Sequence, residues 1–245
     1  MSADEIFKYI IVCDLKNVRE HLRRNPSAIR AKINIKSNEM FSPLHFACSV
    51  TNSTEIIDTL LNNGADIDEM SISGSALGIA VWNGKTELVR HLLCRGARIG
   101  LAGPSGYNEL HKAAVQGHSD TCKVLVEHGA DINSQQPITW DSALSYAAGK
   151  GHHKTVQTLL SLGADINNRA WTGFTPLAVA CQNGHLASVV SLLQAGADAS
   201  LPDKEGAPPI HKAAQRDNVS VLKVLLEHGC DKDQVEKMKC SLKTE

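Results

Sequence analysis

Aromatic residues are scarce in this sequence, because Phe, Trp and Tyr together make up only 4% of its 245 residues. A globular core of this size normally contains more rings, since aromatic side chains bury the largest areas. Leu, Ile, Val and Ala must therefore supply most of the buried surface. An elongated stack of small apolar faces would explain this composition.

An excess of charge of one sign is also absent. The formal net charge is −1, the isoelectric point is about 6.8, and no long basic run occurs. Nucleic-acid-binding proteins usually carry a strongly basic surface, so we predict no nucleic-acid partner. No apolar run reaches the length of a membrane span, and no charged-then-apolar leader is present. We therefore expect no membrane insertion and a cytoplasmic or nuclear location.

The sequence lacks the patterns that usually carry chemistry. Its 7 cysteines are odd in number and form no CxxC pair, which argues against a disulfide framework or a zinc site. No P-loop, GxGxxG, HExxH or GxSxG motif occurs. We predict that the chain is not an enzyme and that it has no catalytic residues, no cofactor and no metal.

An internal repeat organises what is present, and two independent markers define it. Gly-Ala-Asp or a close variant begins at six glycines, with spacings of 32, 33, 34, 33 and 33 residues: Gly64, Gly96, Gly129, Gly163, Gly196 and Gly229. The apolar residue near the start of each predicted short helix recurs at spacings of 33, 33, 34, 33 and 33: Leu44, Leu77, Leu110, Leu144, Leu177 and Ile210. Agreement between the two markers identifies a repeat protein.

The start of each short helix resembles the T-P-L-H-x-A signature of the ankyrin repeat family. The sequence is SPLHFA at 42–47, TPLAVA at 175–180 and PPIHKAA at 208–214, with weaker copies such as SALGIA at 75–80. The resemblance implies an all-α solenoid of stacked helix-turn-helix units joined by β-hairpin-like loops. It also implies that motif histidines such as His45 bond to nearby backbone rather than to a metal.

The markers predict one continuous domain, in which each repeat packs only on its neighbours. Residues 1–36 are expected to form an N-terminal capping helix pair and a long connection. Residues 234–245 are a polar C-terminal tail. Between them we predict six repeats, at 37–69, 70–101, 102–134, 135–169, 170–201 and 202–233.

Local signals indicate where the helices begin and end. Thr175 and Ser42, each followed by Pro, are predicted to cap short helices. The Gly of each Gly-Ala-Asp mark follows a long helix, where a left-handed residue usually ends the helix. Trp140 stands where a turn Gly is expected.

Rings and long polar side chains occupy positions that repeat packing leaves free, in the hairpins and at the ends of the short helices. Because Trp, Tyr and Arg dominate interface hot spots, we expect these positions to bind a protein partner on a concave face. The alternative is that each ring packs on its neighbouring hairpin and stiffens the stack. The predicted protein-binding residues are Trp82, Tyr107, Gln116, Trp140, Trp171, Phe174, Gln182, Asn183 and Arg216.

Two asparagines match a loose modification pattern. Asn133 and Asn167 each follow Asp-Ile and lie eight residues after a Leu, in LVEHGADIN and LLSLGADIN. This resembles the pattern of asparagine hydroxylation in ankyrin repeats, although the repeat consensus alone also produces it.

We therefore predict a monomeric, non-catalytic scaffold or adaptor that binds a protein partner. One alternative is a regulatory subunit, either an enzyme inhibitor or a ubiquitin-ligase substrate receptor, which needs a second docking surface. Another is the repeat portion of a larger enzyme, channel or pathogen effector. The identity of the partner does not follow from any residue of the sequence.

Overall fold

A computed structural model describes residues 5–34, 40–101, 103 and 105–230 of the chain. The described residues form helices joined by turns and very short antiparallel strands, which confirms the all-α prediction. The chain divides into two compact units, and each is described by itself. The N-terminal unit is Met1–Lys112 with Glu127–Ala130, and the C-terminal unit is Ala113–Val126 with Asp131–Glu245. The predicted C-terminal tail lies outside the described residues.

The N-terminal unit contains six complete helices and two pairs of short antiparallel strands among its described residues. The helices are α1 Glu5–Ile11, α2 Leu15–Arg24, α3 Pro43–Val50, α4 Thr54–Asn62, α5 Ala76–Trp82 and α6 Thr86–Cys94, with a 3-10 turn at Pro26–Arg30. Strand β1 (Ile33–Asn34) pairs with β2 (Met40–Phe41), and β3 (Met70–Ser71) pairs with β4 (Gly74–Ser75). Helix α3 packs against α1 and α5.

The C-terminal unit continues the alternation of short and long helices. Helices α7 (Glu109–Gln116) and α8 (Ser119–Glu127) each have residues in both units. The remaining helices are α9 Ala143–Gly149, α10 His153–Ser161, α11 Pro176–Asn183, α12 Leu186–Gln194, α13 Pro209–Gln215 and α14 Val219–Glu227. Helix α11 packs against α9 and α13, and α12 packs against α10 and α14.

Of the two helix caps predicted, Thr175 is confirmed and Ser42 is not. The Thr175 hydroxyl accepts a hydrogen bond from the backbone N–H of Ala178 at 3.2 Å. Ser42 makes no such bond, so the prediction that its side chain caps α3 is wrong. Its hydroxyl lies 2.7 Å from His45 Nδ1 instead. The histidine ring therefore competes successfully with the helix end for this hydroxyl.

The helix ends agree with the predicted glycines. Each Gly of the Gly-Ala-Asp marks has a φ between 87° and 92°, as Gly64, Gly129 and Gly229 illustrate. This is the left-handed region, which side chains other than Gly adopt at a cost. Trp140 also has a positive φ, of 58°, at its expected Gly position.

The core of each unit consists of the aliphatic faces that the sequence predicts. Fully buried side chains include Leu44, Leu77, Leu144 and Leu177, which are one of the two repeat markers. Motif histidine His45 is also buried, and its Nε2 lies 2.8 Å from the carbonyl oxygen of Glu69. Its predicted structural role is thereby confirmed.

Candidate functional site

The N-terminal unit contains a cleft of about 360 Å³, which we call the Trp82 cleft. Trp82 is the last residue of α5 and its side chain is 49% exposed. Tyr107 lines the same cleft, and its ring stands edge-on to the His111 ring, with centroids 6.3 Å apart. Ile72 adds an apolar side chain that is 66% exposed. The cleft thus offers two rings and an aliphatic side chain to a ligand.

Lys112 is the charged residue of the Trp82 cleft. It is only 6% exposed, and Nζ has no hydrogen-bond partner among the described residues. Burial lowers the pKa of Lys112, and the nearby Glu109 carboxylate opposes this only in part. Burial also raises the pKa of Glu109, whose Oε2 accepts a hydrogen bond from the Gly100 backbone N–H at 2.7 Å. The cleft therefore holds a desolvated lysine.

The C-terminal unit contains a cleft of about 340 Å³, which we call the Phe174 cleft. Phe174, Gln182 and Asn183 all line it, so three predicted binding residues lie together. The Asn183 side-chain amide donates to the carbonyl oxygen of Gly149 at 2.8 Å, which fixes its orientation. Asp141 lines the same cleft, and burial raises its pKa despite a hydrogen bond with Thr139.

Lys212 approaches the Phe174 ring from within a buried ion pair. Its Nζ lies 4.9 Å from the ring centroid and 2.6 Å from Asp203 Oδ2. Burial acts to raise the pKa of Asp203, but the Lys212 hydrogen bond and two backbone N–H groups outweigh it, so the pKa is lowered. The cation at this position is therefore neutralised within the chain.

Two further predicted rings lie on the hairpins of the C-terminal unit. Trp171 is 55% exposed, and Lys204 Nζ lies 4.1 Å from its ring centroid. Trp140 is 49% exposed. The Trp171 backbone N–H donates to the carbonyl oxygen of Thr139 at 2.8 Å, which joins the two hairpins directly. Their main chains are fixed, while both rings stay half open to solvent.

The other predicted residues do not line either cleft. Gln116 is half-buried at the end of α7, and Arg216 is exposed just after α13.

The two predicted hydroxylation sites bond to backbone. Asn133 Oδ1 accepts a hydrogen bond from the backbone N–H of Asp165 at 2.8 Å. Asn167 Oδ1 likewise accepts a hydrogen bond from the backbone N–H of Asp198 at 3.0 Å. Both asparagine side chains therefore stabilise the turns between repeats.

The two clefts occupy the same register of the repeat. Leu77 and Leu177 are repeat markers and differ by 100 in number (177 − 77). The same offset relates lining residues of the two clefts: Phe41 and Asp141, Ile72 and Thr172, Ile79 and Val179, Trp82 and Gln182, Asn83 and Asn183. This position of the repeat therefore forms a cleft in both units, and Asp141, Thr172 and Gln182 of the C-terminal unit stand where the N-terminal unit has Phe41, Ile72 and Trp82.

Sequence reasoning found the rings of the Trp82 cleft and overlooked Lys112. The sequence does contain a signal for Lys112, because this lysine follows the motif histidine just as Lys212 does in PPIHKAA. Comparing the acidic residues near the two lysines would have revealed the difference between them.

The described part of the chain meets the requirements of neither a metal cluster nor a membrane-spanning helix. There, no group of three or more His, Cys, Asp or Glu side chains could hold a metal ion. No helix in the same residues is both long and apolar enough to cross a membrane.

Comparison with known proteins identifies the repeat. The family model for ankyrin repeats matches residues 3–102, 44–136, 77–170 and 144–236, which together cover most of the chain. A putative ankyrin repeat protein of fowlpox virus is 38% identical over 95 residues, which are 38% of this chain and 28% of the viral protein. NF-kappa-B inhibitor alpha of Sus scrofa is 29% identical over 143 residues, or 56% of this chain and 45% of that protein.

A human ion channel shares the same repeats. Transient receptor potential cation channel subfamily A member 1 is 33% identical over 110 residues, which are 42% of this chain and 9% of the channel. The match thus covers less than half of the length of each of these three relatives. What they share with this chain is the repeat itself: the chain belongs to the ankyrin repeat family.

Proposed function

We propose that the chain is a non-catalytic scaffold or adaptor whose Trp82 cleft binds a protein partner. Ankyrin repeats are protein–protein interaction modules, which supports the general class. The observation that carries the proposal is the cleft itself, where half-exposed Trp82 lies with Tyr107 and Ile72. Large rings in a concave site are the usual anchors of an interface.

A preformed site makes this binding inexpensive. The Trp82 cleft is lined by α5, which packs against α3, by the β3–β4 hairpin and by Ser105 and Tyr107 before α7. Little backbone freedom is then lost on binding, so more of the contact energy appears as affinity. The Phe174 cleft and the Trp171 ring supply further contacts in the C-terminal unit.

Substitution of the two tryptophans tests the proposal. Peptides selected from a random phage-displayed library against the chain provide the probe, and fluorescence anisotropy gives their Kd. We expect Trp82→Ala with Trp171→Ala to weaken binding by about 30-fold or more, since loss of an anchor costs about 2 kcal/mol or more. Far-ultraviolet circular dichroism should show little change in the thermal melt, because both rings are half exposed.

A matched control separates this from a general effect of lost apolar surface. Val219 on α14 is 59% exposed and lies outside both clefts. Val219→Ala should leave the Kd unchanged. Unaltered affinity in the double tryptophan variant would refute the proposed surface.

A regulatory role is a second candidate. The similarity to NF-kappa-B inhibitor alpha over 143 residues favours an inhibitor that binds the protein it regulates. Such a role, or that of a ubiquitin-ligase substrate receptor, requires two partners at once. Affinity purification that returns one partner lost with Trp82→Ala and a second one retained would support it.

The chain is also a candidate for the repeat portion of a larger channel, enzyme or pathogen effector. The similarity to the human channel and to the fowlpox virus protein favours this reading. A transcript extending past Glu245 would support it.

Asn133 and Asn167 are proposed hydroxylation sites. Asn133 is exposed and Asn167 is half-buried, and only their side-chain oxygens are engaged in the contacts described above. Peptide mass spectrometry of native material that finds no added oxygen on either residue would reject the modification.

A further inference from the structure

Lys112 and Lys212 occupy the same position in two repeats, which allows a direct comparison. Each follows the motif histidine, in ELHKAA and PIHKAA, and their numbers differ by the cleft offset of 100 (212 − 112). Each is almost fully buried, with 6% and 4% exposure. Any difference between their surroundings therefore comes from neighbouring residues rather than from their place in the fold.

Lys212 has a complete set of partners within the C-terminal unit. Its Nζ lies 2.6 Å from Asp203 and 3.6 Å from Glu205, both in the preceding hairpin. The face of the Phe174 ring lies 4.9 Å away and adds a cation–π contact. A buried lysine is tolerated when it is paired in this way.

Lys112 has none of these three partners, because other residues stand at the corresponding positions. Gly103 stands at the position of Asp203, Ser105 at that of Glu205, and Gly74 at that of Phe174. The ammonium group lies instead against two glycines: a Cβ built on Gly74 or Gly78 would be 2.8 or 2.6 Å from Nζ. Among the described residues, Nζ has no hydrogen-bond partner.

The carboxylate that lies nearest in the sequence does not satisfy this lysine. Glu109 is fully buried, and its Oε2 is engaged by the Gly100 backbone N–H. Its Oε1 has no hydrogen-bond partner among the described residues, like Lys112 Nζ, although both lie near Gly78. A buried charge without a hydrogen bond is costly, so an acceptor that reaches Lys112 gains that energy.

We propose that the Trp82 cleft binds an extended acidic segment of a protein partner, whose Asp or Glu side chain supplies the carboxylate that Lys112 lacks. An apolar side chain beside that acid packs on Trp82, Tyr107 and Ile72, which line the same cleft. The long stem of Lys112 lets its ammonium turn toward the acid, as lysine stems commonly do. The inference rests on the proposed function and specifies the chemistry of the partner.

Acid-to-amide exchange in the probe tests the inference. Peptides selected on the wild-type chain are resynthesised with each Asp or Glu replaced by Asn or Gln, one at a time, and with an amidated C-terminus. We expect one exchange to weaken binding about tenfold or more, since a hydrogen bond between charged groups contributes about 1.5–3 kcal/mol. Amidation of the C-terminus should have no effect, and dependence on the terminal carboxylate would overturn the choice of an acidic side chain.

Two variants of the chain assign that preference to Lys112. Lys112→Met should bind the acid and amide peptides within about twofold of each other, because the charge that distinguishes them is gone. Lys223→Met removes an exposed lysine on α14 and should keep the wild-type preference. An undiminished preference in Lys112→Met would overturn the inference.

A third variant restores the missing acid. Gly103 has no positive φ, and a Cβ there would lie 3.8 Å from the nearest described atom, so Gly103→Asp fits without strain. Its carboxylate should neutralise Lys112 as Asp203 neutralises Lys212. We expect a higher melting temperature and a loss of the acid preference, and a variant that keeps the full preference would contradict the inference.

The same measurements distinguish failure of the inference from failure of the proposed function. Peptides that depend on Trp82 but are indifferent to acid-to-amide exchange would refute the acidic partner and keep the binding cleft. If peptide binding is insensitive to both Trp82→Ala and Lys112→Met, the cleft is not the binding site and both conclusions fail.

Discussion

Trp140 combines, at the scale of one residue, an exposed ring with a strained backbone. It has a φ of 58° at a position where the repeat expects Gly, and its ring is 49% exposed. A bulky residue in the left-handed region stores about 1–3 kcal/mol of strain. Trp171 has similar exposure, 55%, without a positive φ, so it serves as a matched comparison.

We predict that Trp140→Gly destabilises the chain less than Trp171→Gly does, by about 1–3 kcal/mol. Both variants lose a half-buried ring, but only the first relieves a strained backbone. Urea unfolding followed by circular dichroism measures the difference. Equal losses would mean that the loop around Trp140 relaxes its strain in another way.

At the scale of the helical element, one turn position links successive repeats. At four inter-helix turns, the side chain of the residue after the turn bonds to a carbonyl oxygen near the end of the short helix of the previous repeat: Lys85, His152, His185 and Asn218. Lys85 Nζ reaches Ser49 at 2.8 Å, and His185 Nε2 reaches Gly149 at 3.0 Å. A lysine and a histidine thus bond to equivalent carbonyl oxygens in different repeats, which have no partner within their own helix end. The turn histidine His185 therefore has a structural role at the end of a helix.

The turn before α14 departs from the pattern, because Asp217 replaces the usual Gly and has a φ of 53°. Asp217→Gly should stabilise the chain by about 1 kcal/mol, since Gly adopts this conformation without steric cost. The reverse change at the equivalent position, Gly184→Asp, should destabilise it, because a Cβ there lies 2.7 Å from Asn218 Oδ1. Thermal unfolding of both variants measures the two effects. A lower melting temperature for Asp217→Gly would show that the aspartate side chain contributes a bond worth more than the strain.

The elements were largely predictable from the sequence, since period, caps and helix-ending glycines are local signals. The left-handed Trp140 followed from its register alone. The partner of the Ser42 hydroxyl was not predictable in this way. The hydroxyl can either cap α3 or bond to the His45 ring, and residue propensities do not say which of the two bonds is more favourable. The sequence also did not predict that Lys112 lacks a partner, because this depends on hairpin residues such as Gly103 and Gly74, which have no side chain to contact it. Packing signals repeat along the chain, whereas the absence of a partner is visible only when two repeats are compared.

At the scale of the whole molecule, stability in a repeat protein is the sum of intrinsic terms and contacts with neighbours. Within the C-terminal unit, α12 packs against α10 on one side and α14 on the other. Five of its residues are buried, whereas α14 buries only Val221 and Leu225. The turn before α14 also carries the strained Asp217. Local opening should therefore begin at α14.

Native-state hydrogen exchange tests this order. We expect amides of α14 to exchange faster than those of α12, because an element with fewer buried contacts opens at lower free energy. Asp217→Gly should slow exchange in α14 and leave α12 nearly unchanged, since the two helices open in separate steps. Equal protection of the two helices, with amide exchange in both slowed by the substitution, would contradict this order. It would show instead that the two helices unfold as one cooperative block.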